Sequence, residues 1–170
     1  ITISNIDKDG PVLDIKYSTE SPTKENVTVT ITVNKEIQDI NTWTRVNEKT
    51  FTKTYSKNTT EKVTATDKVG NSTTETITIN NIDKTAPVLN IKYSPEGVTK
   101  GDVTVTITSN EDIQDIATWT KVNARTFTKT YSKNTTEKVT ATDKVGNSTT
   151  ETITISNIDK DGPVLDIKYS

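Results

Sequence analysis

Six acidic side chains are the best candidates for chemistry in this 170-residue chain. Their carboxylate oxygens are ligands that calcium prefers, and calcium takes about six to eight of them. Their spacing is not that of a dense calcium-binding loop, and an aspartate in a turn can equally accept backbone amide protons, which is the simpler interpretation. A calcium site and turn capping are therefore both open. The candidate ligands are Asp7, Glu36 and Asp67, followed by Asp83, Asp112 and Asp143.

Composition excludes several other kinds of site. The chain has no Cys, His or Met, so it has no disulfide, no thiolate metal ligand and no imidazole base. We therefore predict that it is not an enzyme, because the remaining acid and base groups would need a pocket that small units do not offer. Its 21 basic and 23 acidic residues are interspersed, which argues against nucleic acid as a partner. No stretch is apolar enough for membrane insertion.

The elements that must position the acidic residues are β-strands. Threonine alternates with valine and isoleucine in Val27–Val33 and Thr76–Ile79, a period of two that gives a strand one apolar and one hydroxyl face. Only Ile37–Ile40 hints at a single helical turn. The turn-forming residues between these segments predict strands at about 12–18, 27–34, 42–47, 50–56, 61–67 and 73–80.

The strand pattern occurs twice because the sequence is a tandem repeat. The segment that begins at Asn5 returns at Asn81 and at Asn157, a period of 76 residues in both intervals. Residues 51–79 and 127–155 are identical. The period predicts two repeats, at 5–80 and 81–156, with the last strand of a preceding repeat at 1–4 and the first strand of a following repeat at 157–170.

Six or seven short antiparallel strands in each repeat indicate a β-sandwich. We expect Trp43 and Trp119 to anchor its core, because each repeat has few other large side chains to bury. In such a sandwich the chain enters at the end that carries the turns after the second strand and before the last one. That arrangement would collect Asp7, Glu36 and Asp67 in one repeat, and their counterparts in the next.

Three segments carry a resemblance to a known family. The opening Asn81-Ile-Asp-Lys-Thr-Ala-Pro87, the strand Val103–Thr108 and the closing Ala141-Thr-Asp-Lys-Val-Gly-Asn-Ser148 resemble the bacterial immunoglobulin-like repeats of Gram-positive surface proteins. Adhesins and proteins associated with S-layers carry such repeats in tandem. The resemblance spans the chain and implies an all-β fold of tandem immunoglobulin-like antiparallel β-sandwich domains in an elongated array. The first repeat differs, with Asp9-Gly10 where the second has Thr85-Ala86.

The resemblance also implies a setting and a function. We expect a secreted protein at the bacterial cell surface or cell wall, in which this segment is a structural stalk or fibre. Two alternatives stay open. The repeats could be an adhesin module that binds a host glycan or protein, or subunits that assemble laterally with other copies into an appendage or layer. Neighbouring repeats are the expected partners, and calcium is the only cofactor that the sequence suggests.

Overall fold

Twelve antiparallel strands form in the computed structural model, which describes residues 6–168. The chain divides into two units, one ending at Lys84 and the other beginning at Thr85. The described residues form no helix, so the turn predicted at Ile37–Ile40 is not helical, and Ile37 makes an isolated antiparallel bridge with Asp67. The strands are β1 Leu13–Tyr17, β2 Val27–Val33, β3 Thr44–Asn47, β4 Thr50–Tyr55, β5 Thr59–Thr66, β6 Ser72–Ile79, β7 Leu89–Ser94, β8 Val103–Ser109, β9 Thr120–Asn123, β10 Thr126–Tyr131, β11 Thr135–Thr142 and β12 Ser148–Ile155.

Each unit contains one four-stranded and one two-stranded antiparallel sheet. In the first unit the strand orders are β1-β2-β4-β3 and β5-β6, and in the second they are β7-β8-β10-β9 and β11-β12. The register pairs Ile31 with Ile15 on one side and with Phe51 on the other. Because side chains alternate across a strand, this register directs the apolar residues of all three strands to the same face.

The two sheets of a unit enclose a common core. In β2 the four apolar residues are buried, whereas the threonines between them lie on the outer face. Trp43 and Trp119, expected to anchor the cores, pack against them but are only partly buried. The buried apolar residues of the first unit are Val27, Val29, Ile31, Val33, Ile37, Ile40, Phe51, Tyr55, Val63, Ala65, Ile77, Ile79 and Ile82.

The first unit ends beyond the boundary that the period predicts. Ile82 is buried in its core and forms a parallel bridge with Thr23. The side chain of Asn58 accepts from the N–H of Ile82 and donates to its carbonyl, both at 2.9 Å. The N–H of Asp83 donates to the carbonyl of Thr23 at 2.8 Å. The period places residues 81–84 in the second repeat, but these contacts join them to the first unit.

The predicted partial repeats lie at the two ends of the chain. The strand predicted at 1–4 lies outside the described residues. At the other end, Ile158 bridges to Thr99, and residues 159–168 form no strand. In a complete unit the first strand pairs with the second, as Leu13 does with Val33. Among the described residues, 159–168 pair with no such strand.

We expect Ile82→Ala to lower the free energy of unfolding of the first unit by about 2 to 4 kcal/mol, because it removes a buried side chain from the core. Urea unfolding in a Trp119→Phe background, with Trp43 as the reporter, would measure this change. The control is Val46→Ala, because Val46 is 60% exposed and such changes cost within about 0.5 kcal/mol. Equal effects would mean that Ile82 does not belong to this core.

Candidate functional site

The chain entry of the first unit brings two of the predicted metal ligands together around an ammonium group. Lys35 Nζ lies 2.9 Å from Asp7 Oδ2 and 3.5 Å from Asp67 Oδ2. It also donates to the carbonyl of Asp9 at 2.7 Å. Asn71 donates to the carbonyl of Asp7 at 3.1 Å. The bond from Lys35 lowers the pKa of Asp7, and the same bond raises the pKa of Lys35. These carboxylates therefore hold a cation that the chain itself supplies.

Glu36, the third predicted ligand of this unit, has a different partner. Its carboxylate pairs with the ammonium of Lys68. This bond is the main cause of the lowered pKa of Glu36 and of the raised pKa of Lys68. The structure thus groups Asp7 with Asp67, and it pairs Glu36 with a lysine of the turn that follows Asp67.

Asp67 caps the turn between β5 and β6. Its Oδ1 accepts from the N–H of Val69 at 3.0 Å and from the N–H of Asn71 at 2.9 Å, and its Oδ2 accepts from the Asn71 side chain at 3.0 Å. Gly70 takes a φ of 99° in this turn, a conformation that favours glycine. Burial raises the pKa of Asp67, but the bonds from Asn71, Val69 and Gly70 outweigh it, and the pKa lies below its usual value.

The predicted ligands of the second repeat have equally distinct surroundings. Asp143 is buried and caps its turn through the N–H groups of Val145 at 2.9 Å and Asn147 at 2.8 Å. Asp112 accepts from Lys144 at 2.8 Å and Arg125 at 2.9 Å, which lowers the pKa of Asp112 to about 2.

The remaining predicted ligand, Asp83, belongs to the first unit, where its N–H bonds to Thr23. Its contacts therefore place its backbone at the chain exit of that unit. Asp112 and Asp143 lie in the second unit.

A cleft beside each tryptophan is a second site, which the sequence interpretation missed. The cleft has a volume of about 250 Å³ in the first unit and about 290 Å³ in the second. The two linings differ at one position, where Asn41 in the first unit corresponds to Ala117 in the second. The first is lined by Ile40, Asn41, Thr42, Trp43, Lys53, Glu61, Lys62, Val63 and Thr64.

An ion pair crosses the cleft between the two sheets. Lys53 Nζ of β4 lies 2.8 and 2.9 Å from the two carboxylate oxygens of Glu61 in β5. Tyr55 Oη donates to the same carboxylate at 2.6 Å. Burial raises the pKa of Tyr55, and its bond to Glu61 adds to the rise. The second unit repeats the pair with Lys129 and Glu137 at 2.8 Å. The ammonium and the carboxylate therefore largely neutralise each other.

The rim of the cleft contains a strained residue. Thr42 has a φ of 68°, as has its counterpart Thr118. A β-branched residue rarely adopts a positive φ, and strain of this kind clusters at ligand sites and switches. The Thr42 hydroxyl accepts a hydrogen bond from Lys53 at 3.1 Å, which helps to hold this conformation.

A comparison of the two repeats does not single out the cleft. From Lys35 to Lys49 the repeats differ at six positions, and Ile40, Thr42 and Trp43 of the cleft recur in the second repeat. Six residues outside the cleft recur as well, whereas Asn41 of the cleft does not. Lys53 and Glu61, in contrast, lie in the fully identical segment, where recurrence singles out no residue. Only the folded structure brings these two side chains together.

Comparisons with known proteins assign no family. A scan against models of protein families finds no match, and a search of curated proteins finds no significant relative. The resemblance to bacterial immunoglobulin-like repeats therefore stays a prediction. Within residues 6–168, no helix is long and apolar enough to cross a membrane.

We expect calcium to leave the stability of the first unit unchanged, because the Lys35 ammonium already lies between Asp7 and Asp67 and contacts both carboxylates. Thermal unfolding of the Trp119→Phe chain in about 2 mM calcium and then in excess EDTA would test this expectation at a concentration typical of weak extracellular sites. A midpoint that rises with calcium would contradict it and would favour the metal-site interpretation for these residues.

We expect the chain to lose stability in acid. The pKa values of Asp67 and Asp143 are lowered by folding. Their contribution is therefore complete above the unfolded value of about 4 and is lost as the pH falls through the folded value. The thermal midpoint should change little between about pH 7 and pH 5 and should drop below about pH 4.

The paired substitution Asp67→Asn and Asp143→Asn should lower the midpoint by several degrees at neutral pH and flatten its dependence on acid. Asp14→Asn is the matched control, because the second repeat already has Asn90 at that position. An unchanged acid dependence in the paired variant would show that other groups cause the loss.

Proposed function

We propose that this chain is a segment of a structural stalk or fibre at a bacterial cell surface, built of immunoglobulin-like modules in series. Such repeats add length without adding new chemistry. The proposal rests on the arrangement of each unit's own ends and is supported by the repeat itself and by the strand order. The cell-surface setting rests on the resemblance of the three sequence segments alone.

The position of the chain ends in each unit carries the proposal. In the first unit the chain enters beside Asn34 and Asn71, which bond to Val12 and to Asp7. It leaves beside Thr23 and Asn58. Strand β6 runs from Ser72, next to the entry, to Ile79, next to the exit. Entry and exit therefore lie at opposite ends of the sandwich, as a module that is threaded in series requires.

The strand order supports an immunoglobulin-like module. Constant-type immunoglobulin domains have an ABED sheet facing a CFG sheet. The order β1-β2-β4-β3 matches A-B-E-D, and β5-β6 matches F-G. In place of strand C, Ile37 forms a bridge with Asp67, and the N–H of Gln38 donates to the carbonyl of Thr66 at 2.8 Å. We propose that each unit is such a sandwich, in which strand C is shortened to this bridge.

X-ray scattering from the chain and from a version with one added 76-residue copy would test the stalk. An eight-residue strand rises about 26 Å, so each unit placed in series should lengthen the particle by roughly 35 to 45 Å. We expect that increase in maximum dimension, with sedimentation velocity reporting a monomer in both cases. An increase below about 20 Å would mean that the units fold back on each other.

The same sedimentation data address lateral assembly. A species much heavier than the 18.7 kDa chain would argue for self-assembling subunits and against an isolated stalk. Dilution over about a hundredfold in concentration would distinguish a stable assembly from a weak one.

A further inference from the structure

Because strand C is shortened to the bridge at Ile37, part of β5 has no neighbouring strand on its outer side. On one side β5 pairs with β6 along its whole length. On its other side, Gln38 bonds to Thr66, after which the chain turns away through the segment 40–43. Among the described residues, none pairs with the backbone of residues 61–64 on this side. Because alternate residues of a strand direct their N–H and C=O groups to opposite sides, this edge presents unpaired donors and acceptors.

The cleft lies along this open edge. Four consecutive residues, 61–64, form one of its walls, and Trp43 contributes to the other. The partly buried indole offers an apolar surface, while the N–H and C=O groups of β5 offer hydrogen bonds. An extended peptide satisfies both surfaces, because its main chain pairs with the edge and alternate side chains point to opposite faces.

The charge of the cleft favours an acidic occupant. Lys53 and Glu61 neutralise each other. Lys62 is exposed and has no ion pair within the described part of the chain. The lining therefore has one uncompensated positive charge, and the second unit repeats it at Lys138. A carboxylate on the outward face of an added strand would lie near this ammonium.

We propose that each unit binds an extended acidic peptide segment. The peptide adds a strand to the open edge of β5 or β11, in the position of the shortened strand C. Apolar side chains of the peptide face the cleft beside Trp43 or Trp119, and its carboxylates face Lys62 or Lys138. The paired edge is short, so the affinity is modest, with a dissociation constant of about 0.1 to 1 mM.

The two tryptophans of the chain give a direct readout, because each lines one cleft. The probe is an acetylated and amidated hexapeptide in which valine alternates with aspartate, titrated into the full chain. We expect a saturable change in tryptophan fluorescence. We also expect slower amide exchange for some of residues 61–64 and 137–140, which only main-chain pairing at this edge would produce.

Paired substitutions test whether the lysine charges contribute to peptide binding without changing the stability of the fold. The paired substitution Lys62→Gln and Lys138→Gln should weaken binding about two- to fivefold, the usual contribution of an exposed ion pair. Lys57→Gln with Lys133→Gln is the matched control, because these lysines are exposed and lie outside the cleft. Both paired variants should retain the thermal midpoint of the parent chain, since they alter exposed side chains.

Peptide controls test the mode of binding. A hexapeptide with an N-methylated central aspartate keeps its charge but loses a main-chain donor that faces β5, so it should bind at least about tenfold more weakly. A version with lysine in place of aspartate should also bind more weakly. Equal binding of the N-methylated peptide would overturn strand addition, and equal binding of the lysine peptide would overturn the preference for acidic partners.

Two further outcomes would overturn the proposal as a whole. One is the absence of any saturable signal up to about 5 mM peptide, well above the expected dissociation constant. The other is binding of an acidic trisaccharide, such as trigalacturonate, with no binding of the peptide, which would make the cleft a carbohydrate site. The inference does not depend on the stalk, since a chain that failed the scattering test would retain the same open edge.

Discussion

The alternating second strand is the constraint on which each unit depends. β2 lies inside its sheet, between β1 and β4, and its apolar residues at 27, 29, 31 and 33 are 0 to 3% exposed. A shift in register by one residue would bury threonines in their place, so the hydrophobic pattern fixes the pairing on both sides. The threonines on the outer face form cross-strand contacts, as Thr28 and Thr54 do at 2.9 Å between hydroxyl oxygens. One strand therefore determines the core and the surface together.

The core that results is small, and polar groups complete the unit at both ends. Asp67 holds the turn between β5 and β6 at the chain entry, and Asn58 holds Ile82 at the chain exit. Each of these side chains satisfies backbone groups that no strand pairs, and an unpaired buried backbone group would cost free energy comparable to a lost hydrogen bond. The acidic residues that first suggested a metal site thus have structural partners in the first unit.

The cleft arises where the fold departs from a complete two-sheet sandwich. On the outer side of β5 only an isolated bridge forms, between Ile37 and Asp67, and the Lys53–Glu61 pair and Tyr55 connect the two sheets across the gap beside it. The pair requires both partners, because either charge alone would be left partly buried and unpaired. Each unit therefore has a cleft at the position where β5 has only this isolated bridge on its outer side.

The sequence by itself determined the repeat and the strands. The alternation of valine and isoleucine with threonine and the turn-forming residues between segments are local properties, and together they predicted each strand of the first repeat to within two residues, as in 27–34 against the observed Val27–Val33. The grouping of Asp7 with Asp67 also followed from the order of strands and turns. Tertiary packing alone decided the rest. Lys35 lies between those carboxylates and Ile82 packs in the core of the first unit, because such contacts join residues that are 24 or more positions apart. The open edge of β5 depends on where the neighbouring segment stops pairing with it, and the residue pattern along a single segment does not show this.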